Sequence, residues 1–421
     1  MKAAWMIAAP TSGSGKTTIA RGLMALLHEK GFAVQPFKCG PDYIDTKFHE
    51  MVCGRPSINL DTFMATPLHV RQLFGGYGTD ADVCVVEGMM GLFDGFNRDQ
   101  GSSAEIARVL RLPIVLVVDA KSAAYSMAAL LSGFLHFRDD VRIAGVIFNR
   151  VGSPRHFSML QQVCDDLQVE CFGYLPKSPA LEQSSRYLGL DFSEKAEQQE
   201  LIRLLEEHVR LDRLLTLHCE DDGLLAPCSQ PPALAKTLLV ARNAESFSFV
   251  YQETLDAFAH VGFFNPETDV PCLDGVDLLY LPGGYPEKHA QALAANESAR
   301  WAILHYAEEG GHILAECGGM MYLCRELLTD DGAYPMCGVL PYTITARRAD
   351  RKLSLGYRSF SLDGRQCRGH EFHYTQFLGD VPQSAAQVCN AKGEPVPTPV
   401  FRYRHVLASY THIYNIREIC G

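Results

Sequence analysis

Two stretches of this chain place reactive residue types at a spacing that supports chemistry. The first is TSGSGKTT, residues 11–18. An apolar run leads into it and a helical pattern follows, so backbone N–H groups and the positive end of a helix dipole would converge on phosphate. Thr11, Ser12, Gly13, Ser14, Gly15, Lys16, Thr17 and Thr18 are the candidate nucleotide contacts, with Lys16 on the β/γ-phosphates and the Thr17 hydroxyl on Mg²⁺. The strict phosphate-loop pattern has glycine where this chain has Pro10. Phosphoryl transfer also needs carboxylates for the metal. Asp45, in FKCGPDYID, and Glu87, opening EGMMGLFDG, follow apolar runs and join Thr17 as candidate metal ligands; Asp119 also ends such a run. Lys38 is either a second phosphate contact or a solvated lysine. Asn149 either reads an adenine edge or caps a strand end.

The second stretch is HILAECGGMMYL, residues 312–323. An apolar run turns through Cys317-Gly318-Gly319 into a helical run. A cysteine on such a turn is presented as a nucleophile, and the helix start is expected to lower its pKa. Its helpers come from elsewhere in the chain. LPGGYPE (281–287) supplies Gly283 and Gly284, whose N–H groups, with that of Gly318, suit an oxyanion hole. ASYTHIYN (408–415) supplies His412 as the base. GHEFHYT (369–375) is not the HExxH zinc pattern, because Tyr374 stands four after His370; His370, Glu371 and His373 read better as a polar substrate face. Residues 347–368 gather Arg347, Arg348, Arg351, Lys352, Arg358, Arg365 and Arg368 against only Asp350 and Asp363. That excess is either a solvated face or a recess for a polyanion, since arginine forks match carboxylates.

These residues need a scaffold that delivers them at strand ends. Apolar runs at 2–9, 34–38, 81–87, 112–119 and 142–148 alternate with helical patterns at 17–30, 102–111 and 123–135. A polar-rich helical pattern at 193–217 closes the series. The alternation predicts a mainly parallel sheet covered by helices. CEDDGLLAPCSQPPALA, residues 219–235, reads as a linker. A second series follows, with strands at 236–241, 278–281 and 312–315 and one helix at 290–309. The expected fold class is α/β, in two domains: 1–218 holding the phosphate loop and 236–421 holding the thiol. At 421 residues the chain is long enough for two domains. It is 47% hydrophobic with a net charge of -11, which disfavours a general nucleic-acid binder. No apolar run approaches the roughly 20 residues of a membrane helix. No targeting segment is recognisable, so a cytoplasmic address is expected. The 14 cysteines form no CxxC pair and read mostly as reduced core residues.

In this order, APTSGSGKTT, QPFKCGPDYID, VEGMMGLFDG, LPGGYPE, AECGGMMYL, GHEFHY and ASYTH resemble the cobyrinic acid a,c-diamide synthase family, from about residue 4 to 415. The resemblance implies a domain similar to dethiobiotin synthetase followed by a class I glutamine amidotransferase-like domain. It implies ATP- and Mg²⁺-dependent amidation of the a and c carboxylates of a corrin, with L-glutamine as nitrogen donor. Asp42, Tyr43 and Asp94, inside the matching motifs, are then substrate-contact candidates together with Arg347, Arg348, His370, Glu371 and His373. The implied partners are small molecules: the tetrapyrrole polycarboxylate, glutamine and ATP. A homodimer is compatible with this. Many class I amidotransferases have a glutamate two positions after the histidine; here that position is Tyr414, which leaves the orienting group open. The same chemistry on hydrogenobyrinic acid or nickel sirohydrochlorin stays open, as does a phosphate-loop ATPase switch without amidation.

Overall fold

The computed structural model describes residues 2–178, 181, 195–220, 232–379, 383–414 and 416–417. The chain forms two compact units, residues 1–62 with 66–230 and residues 63–65 with 231–421. The linker expected at 219–235 lies mostly outside the described residues. At its edges, Cys219 donates its thiol to the Leu110 carbonyl within the first unit, and Leu234 already begins a strand of the second.

The first unit is built on seven strands: β1 (Ala3–Ala8), β2 (Val34–Cys39), β3 (Ile58–Leu60), β4 (Val83–Glu87), β5 (Ile114–Asp119), β6 (Ile143–Val151) and β7 (Glu170–Pro176). Their order is β3-β2-β4-β1-β5-β6-β7, and every pair is parallel. β1, β2 and β4 are buried along their whole length, as strands covered on both faces must be, which is why they read as continuous apolar runs. The helix Lys16–Glu29 turns one face to this sheet. Leu23 and Leu27 share a core cluster there with Trp5, Val85 and, from the helix Lys195–His208, Leu201 and Leu205. Polar caps set the helix starts: the Ser102 and Ser153 side chains accept from the Glu105 and His156 N–H groups. Sequence reading had no expectation for β3 or β7. The first is three residues long, and the second carries a glycine at φ 128 with irregular register to β6.

The second unit has its own main sheet, from β8 (Leu234–Ala241), β9 (Phe258–Phe264), β10 (Leu278–Leu281) and β11 (Ile313–Glu316). After it the chain forms β12 (Cys324–Thr329), β13 (Gly332–Pro335), β14 (Leu340–Thr345), β15 (Ser354–Leu362), β16 (Arg365–His373), β17 (Gln376–Leu378) and β18 (Cys389–Asn390). It ends with β19 (Val400–Tyr403), β20 (Val406–Ser409) and β21 (His412–Ile413). The main sheet runs β19-β20-β11-β10-β8-β9, parallel except for the β19–β20 edge. Two further four-stranded sheets, β13-β12-β14-β17 and β18-β15-β16-β21, stand outside the expected alternation. The helix expected at 290–309 is two helices, Ala290–Ala295 and Glu297–Glu308. Asn296 separates them because its side chain caps the second by accepting from the Ala299 N–H. Among the described residues all twelve cysteines are free thiols, and no helix is long and apolar enough to cross a membrane.

Candidate functional site

In the first unit the candidate residues meet at the carboxyl ends of β1, β2 and β4, where open parallel sheets collect ligands. Gly15 at φ 94 and Gly13 at φ 80 shape the loop into the helix at Lys16. Gly15 is also a packing requirement: a Cβ there would lie 1.9 Å from the Asn149 side-chain nitrogen. Asn149 donates to the Ser14 carbonyl at 2.9 Å and accepts from the Arg150 N–H at 2.9 Å. Its amide nitrogen thus braces the loop, while its oxygen accepts from the next residue of β6. Within the loop, the Ser14 hydroxyl donates to the Thr11 carbonyl and lies 3.3 Å from the Thr11 hydroxyl. Ser12, Thr11 and Gly13 are exposed at its crest, and Thr18 stands half-buried in the first helical turn.

The Thr17 hydroxyl donates to Glu87 Oε1 at 2.6 Å and lies 3.5 Å from Asp45 Oδ2. These are the three oxygen-bearing side chains expected to hold a metal, and the set suits a hard divalent cation. Lys38 sits among them. It donates to Asp45 at 2.5 Å, to Glu87 at 2.9 Å and to the Gly88 carbonyl at 3.3 Å. Lys38 is buried and therefore not a solvated lysine, and here it holds the two acids. Burial works against its charge, but Glu87 and Asp45 outweigh that and raise its pKa. Burial, then Glu87, pushes Asp45 up to about 6. Against burial, Lys38 and a hydrogen bond with His49 hold Glu87 well below the usual carboxylate range. Burial, then Lys38, lowers Lys16, whose ammonium donates to the Met90 carbonyl at 3.0 Å.

Two side chains here, His49 and Arg150, carried no sequence signal of their own. His49 is fully buried, its Nε2 2.7 Å from Glu87 Oε2 and its Nδ1 3.0 Å from the Ser57 hydroxyl. Arg150, at φ 57, donates to the Gly13 carbonyl at 3.1 Å and pairs with Asp119 at 2.6 Å. Asp119 therefore binds an arginine and not the Thr17 cluster. The substrate candidates Asp42 and Asp94 have local duties. Asp42 accepts from the Ile44 and Asp45 N–H groups at 2.8 Å, and Asp94 accepts from the Gly91 N–H at 3.0 Å. Tyr43, next to Asp42, is buried.

In the second unit Cys317 follows β11 directly, at φ 46 and ψ -105, before the helix Gly318–Leu323. Its N–H donates to the Ser409 carbonyl at 2.8 Å, which ties the turn to the end of β20. His412 follows three residues after Ser409, so the neighbouring parallel strands β11 and β20 bring the thiol and the imidazole to the same carboxyl end of the sheet. The loop after β10 closes the group. A Cβ on Gly283 would lie 2.2 Å from His412 Cε1, and one on Gly318 would lie 3.1 Å from the Gly284 nitrogen. Cys317, Gly318, Gly283, Gly284 and His412 therefore assemble into one cluster. The expected low thiol pKa is a correction. A hydrogen bond from the Gly318 backbone lowers it, but burial, then Glu287 and Glu371, raises it overall. Burial, then His370 and His373, lowers His412 to about 3. Both shifts favour the uncharged thiol and the uncharged imidazole.

The proposed substrate face divides. Glu371 is buried and accepts from Arg358 at 2.9 Å, Thr398 at 2.7 Å and Ser354, with His373 Nε2 at 3.1 Å. Against burial, bonds from His373 and Ser354 hold its pKa at about 2. Glu371 thus ties β15 and β16 together. The His373 ring stacks on Tyr410 at 3.5 Å. His370 is half-buried and pairs with His412 across β16 and β21. The basic stretch divides as well: Arg358 is buried, while Arg347 and Arg348 are exposed.

A phosphate-loop sheet with acids at the carboxyl ends of its strands, and a parallel sheet with a strained cysteine directly after an inner strand, define a nucleotide-binding domain followed by a glutamine amidotransferase. Residues 5–189 match the CobQ/CobB/MinD/ParA nucleotide binding domain, and residues 244–417 match the CobB/CobQ-like glutamine amidotransferase domain. The cobyrinate a,c-diamide synthase of Caldanaerobacter subterraneus subsp. tengcongensis is 36% identical over 98% of this chain and 96% of that protein. The hydrogenobyrinate a,c-diamide synthase of Brucella abortus is 39% identical over 98% of both. The cobyrinate a,c-diamide synthase of Listeria monocytogenes is 38% identical over 98% of this chain and 96% of that protein. The chain belongs to the cobyrinate/hydrogenobyrinate a,c-diamide synthase family.

Proposed function

We propose that the protein amidates the a and c carboxylates of cobyrinic acid, using ATP and glutamine. The observation that carries this reading is the joint presence of the braced loop Thr11–Thr18 and the Cys317–Gly283–His412 cluster in one chain. A carboxylate is a poor electrophile, so ATP first converts it to an acyl phosphate. In this reading residues 1–218 perform that step. Lys16 and the loop N–H groups hold the phosphates, and Thr17, Asp45 and Glu87 would hold Mg²⁺, which supplies charge neutralisation for phosphoryl transfer. Lys38 and His49 keep the two acids in place. Residues 236–421 release ammonia. Cys317 gives its proton to His412 and attacks the glutamine amide carbon, while N–H groups of Gly284 and Gly318 stabilise the oxyanion. His412 returns the proton to the departing ammonia, and water hydrolyses the thioester.

The Brucella relative favours a second reading, in which the ring carries no cobalt and the substrate is hydrogenobyrinic acid. The deciding experiment offers the enzyme cobyrinic acid, hydrogenobyrinic acid and nickel sirohydrochlorin, each with ATP, Mg²⁺ and glutamine, and reads diamide formation by mass. The expected result is a diamide from one of the first two. Turnover of nickel sirohydrochlorin alone would overturn both readings.

In this reading Arg347 and Arg348 face the substrate's carboxylates. Replacing both with alanine is expected to raise the tetrapyrrole KM by about tenfold or less, because exposed ion pairs contribute only about 0–1 kcal/mol each. The KM values for ATP and glutamine stay near wild type. The effect shrinks at high salt, because the screening length falls from about 8–10 Å near 0.1 M to about 3 Å at 1 M. Steady-state kinetics at two ionic strengths check this, and an unchanged tetrapyrrole KM at both assigns the pair to a solvated face.

A further inference from the structure

A base that takes a proton from a thiol works best when its other nitrogen is held by an acid. The structure offers one at a position that the spacing from His412 did not suggest. Glu316 ends β11, immediately before Cys317, and is 1% exposed. Its Oε2 accepts from the Tyr280 hydroxyl at 2.7 Å. Its Oε1 accepts from the Ile413 N–H at 2.8 Å, which joins the carboxyl to the residue after His412. Oε2 also stands 3.8 Å from His412 Nδ1, within ion-pair reach and longer than a hydrogen bond. Contacts of this kind often tighten only when substrate binds.

We propose that Glu316 is the positioning residue of the glutaminase site, holding the Nδ1–H of His412 so that Nε2 keeps its lone pair for the Cys317 proton. The inference rests on the glutaminase reading above. One side chain would thereby link the strand that presents the nucleophile, through Glu316, to the strand that carries the base. The proton balance is closed. The Cys317 proton moves to Nε2, the imidazolium forms beside the Glu316 carboxylate, and Nε2 gives the proton to the leaving nitrogen as the C–N bond breaks. In the second half, water loses its proton to Nε2, attacks the thioester and releases glutamate, and the thiolate recovers the proton.

The surroundings set the pH at which this arrangement exists. Burial pushes Glu316 up to about 8, against hydrogen bonds from Tyr280 and Ile413. Tyr280 itself is raised well above its ordinary value by burial and by Glu316, so it stays a donor. From β16, His370 and His373 oppose a charge on His412 and Glu371 favours it. Glu287 and Glu371 oppose a thiolate on Cys317. Burial favours the protonated Glu316, which can still accept from Nδ1 through its carbonyl oxygen but offers no charge to an imidazolium; the carboxylate formed as the pH rises through about 8 offers both. Glutamine hydrolysis should therefore rise with pH through about 8.

The test measures glutamate release by the full-length enzyme with ATP, Mg²⁺ and cobyrinic acid from pH 6 to 10. Glu316→Gln is expected to slow hydrolysis roughly 10³-fold and to lose the rising limb, because an amide oxygen still accepts from Nδ1–H but carries no charge. Glu316→Asp should keep the limb at a reduced rate. Tyr280→Phe removes a donor to the carboxylate and should move the limb to higher pH; this milder variant gives a readout if Glu316→Gln folds poorly. Ammonia-driven synthesis is the fold control for all three. A wild-type rate and pH limb in Glu316→Gln, or an unshifted limb in Tyr280→Phe, would overturn the proposal. Undiminished glutamate release by a Cys317→Ser control would instead overturn the glutaminase reading beneath it.

Discussion

Cys317→Ser is expected to abolish glutamine-driven amidation and to leave ammonia-driven amidation close to the wild-type rate. In the proposed reading the thiol attacks the amide carbon: Cys317 sits at φ 46 on a turn where Gly318 and Gly284 approach each other. A serine hydroxyl in the same pocket is a far weaker nucleophile beside a neutral imidazole. Removing the nucleophile of a catalytic unit costs on the order of 10⁴–10⁶-fold in kcat, so glutamate release should fall to background. Carboxylate activation is proposed to lie with Lys16, Thr17 and Glu87 in the other unit and does not need the thiol. Parallel assays with glutamine and with a high concentration of ammonium chloride at alkaline pH decide the matter. Failure of ammonia to rescue a variant with an unchanged Tm would end the proposed division of labour between the two units.

The parts of this fold that could be read from the sequence are those with a strong local cause. β1, β4 and β5 are apolar runs because parallel central strands bury both faces, and the loop before Lys16 announces itself by Gly13 and Gly15. The antiparallel hairpin of β15 and β16 was illegible for the opposite reason. Its arginines resemble a solvated basic stretch, and nothing local shows that Arg358 turns inward to pair with Glu371 thirteen residues later. The site followed the same division. Cys317, His412 and Lys16 stand in short motifs whose spacing carries the chemistry. The tertiary partners of Lys38 and Asn149 had no local signal: Lys38 binds Asp45 and Glu87, and Asn149 donates to the Ser14 carbonyl. His49 looked like any helical histidine until β4 brought Glu87 to it. Glu316 was in plain view beside the nucleophile, but its role depends on Tyr280 and Ile413, from two other strands.

Lys16→Ala and Glu87→Gln are expected to stop amidation with either nitrogen source, yet to differ in stability. Lys16 is held with a lowered pKa by burial and by Lys38, so its charge is unfavourable in the resting protein, and its one backbone contact is to the Met90 carbonyl. Its truncation should leave the Tm within a few degrees of wild type while removing the cation proposed to face the phosphates. Losing such transition-state stabilisation costs about 10²–10³-fold. Glu87 has the opposite character. It accepts from Thr17, pairs with Lys38 and binds His49, and Lys38 holds it well below the usual carboxylate range. A neutral amide leaves Lys38 with Asp45 as its remaining acid, and breaking a buried pair costs about 3–5 kcal/mol. For a domain near 200 residues that corresponds to a fall in Tm of roughly 10 °C. Synthesis with ammonium chloride, glutamate release and thermal melts, run on both variants, separate the two effects. Lys16→Ala should keep hydrolysing glutamine where Cys317→Ser cannot. Near-normal synthesis by Lys16→Ala would remove the nucleotide assignment of the loop, whereas an unchanged Tm in Glu87→Gln would mean that Lys38 is held by Asp45 alone.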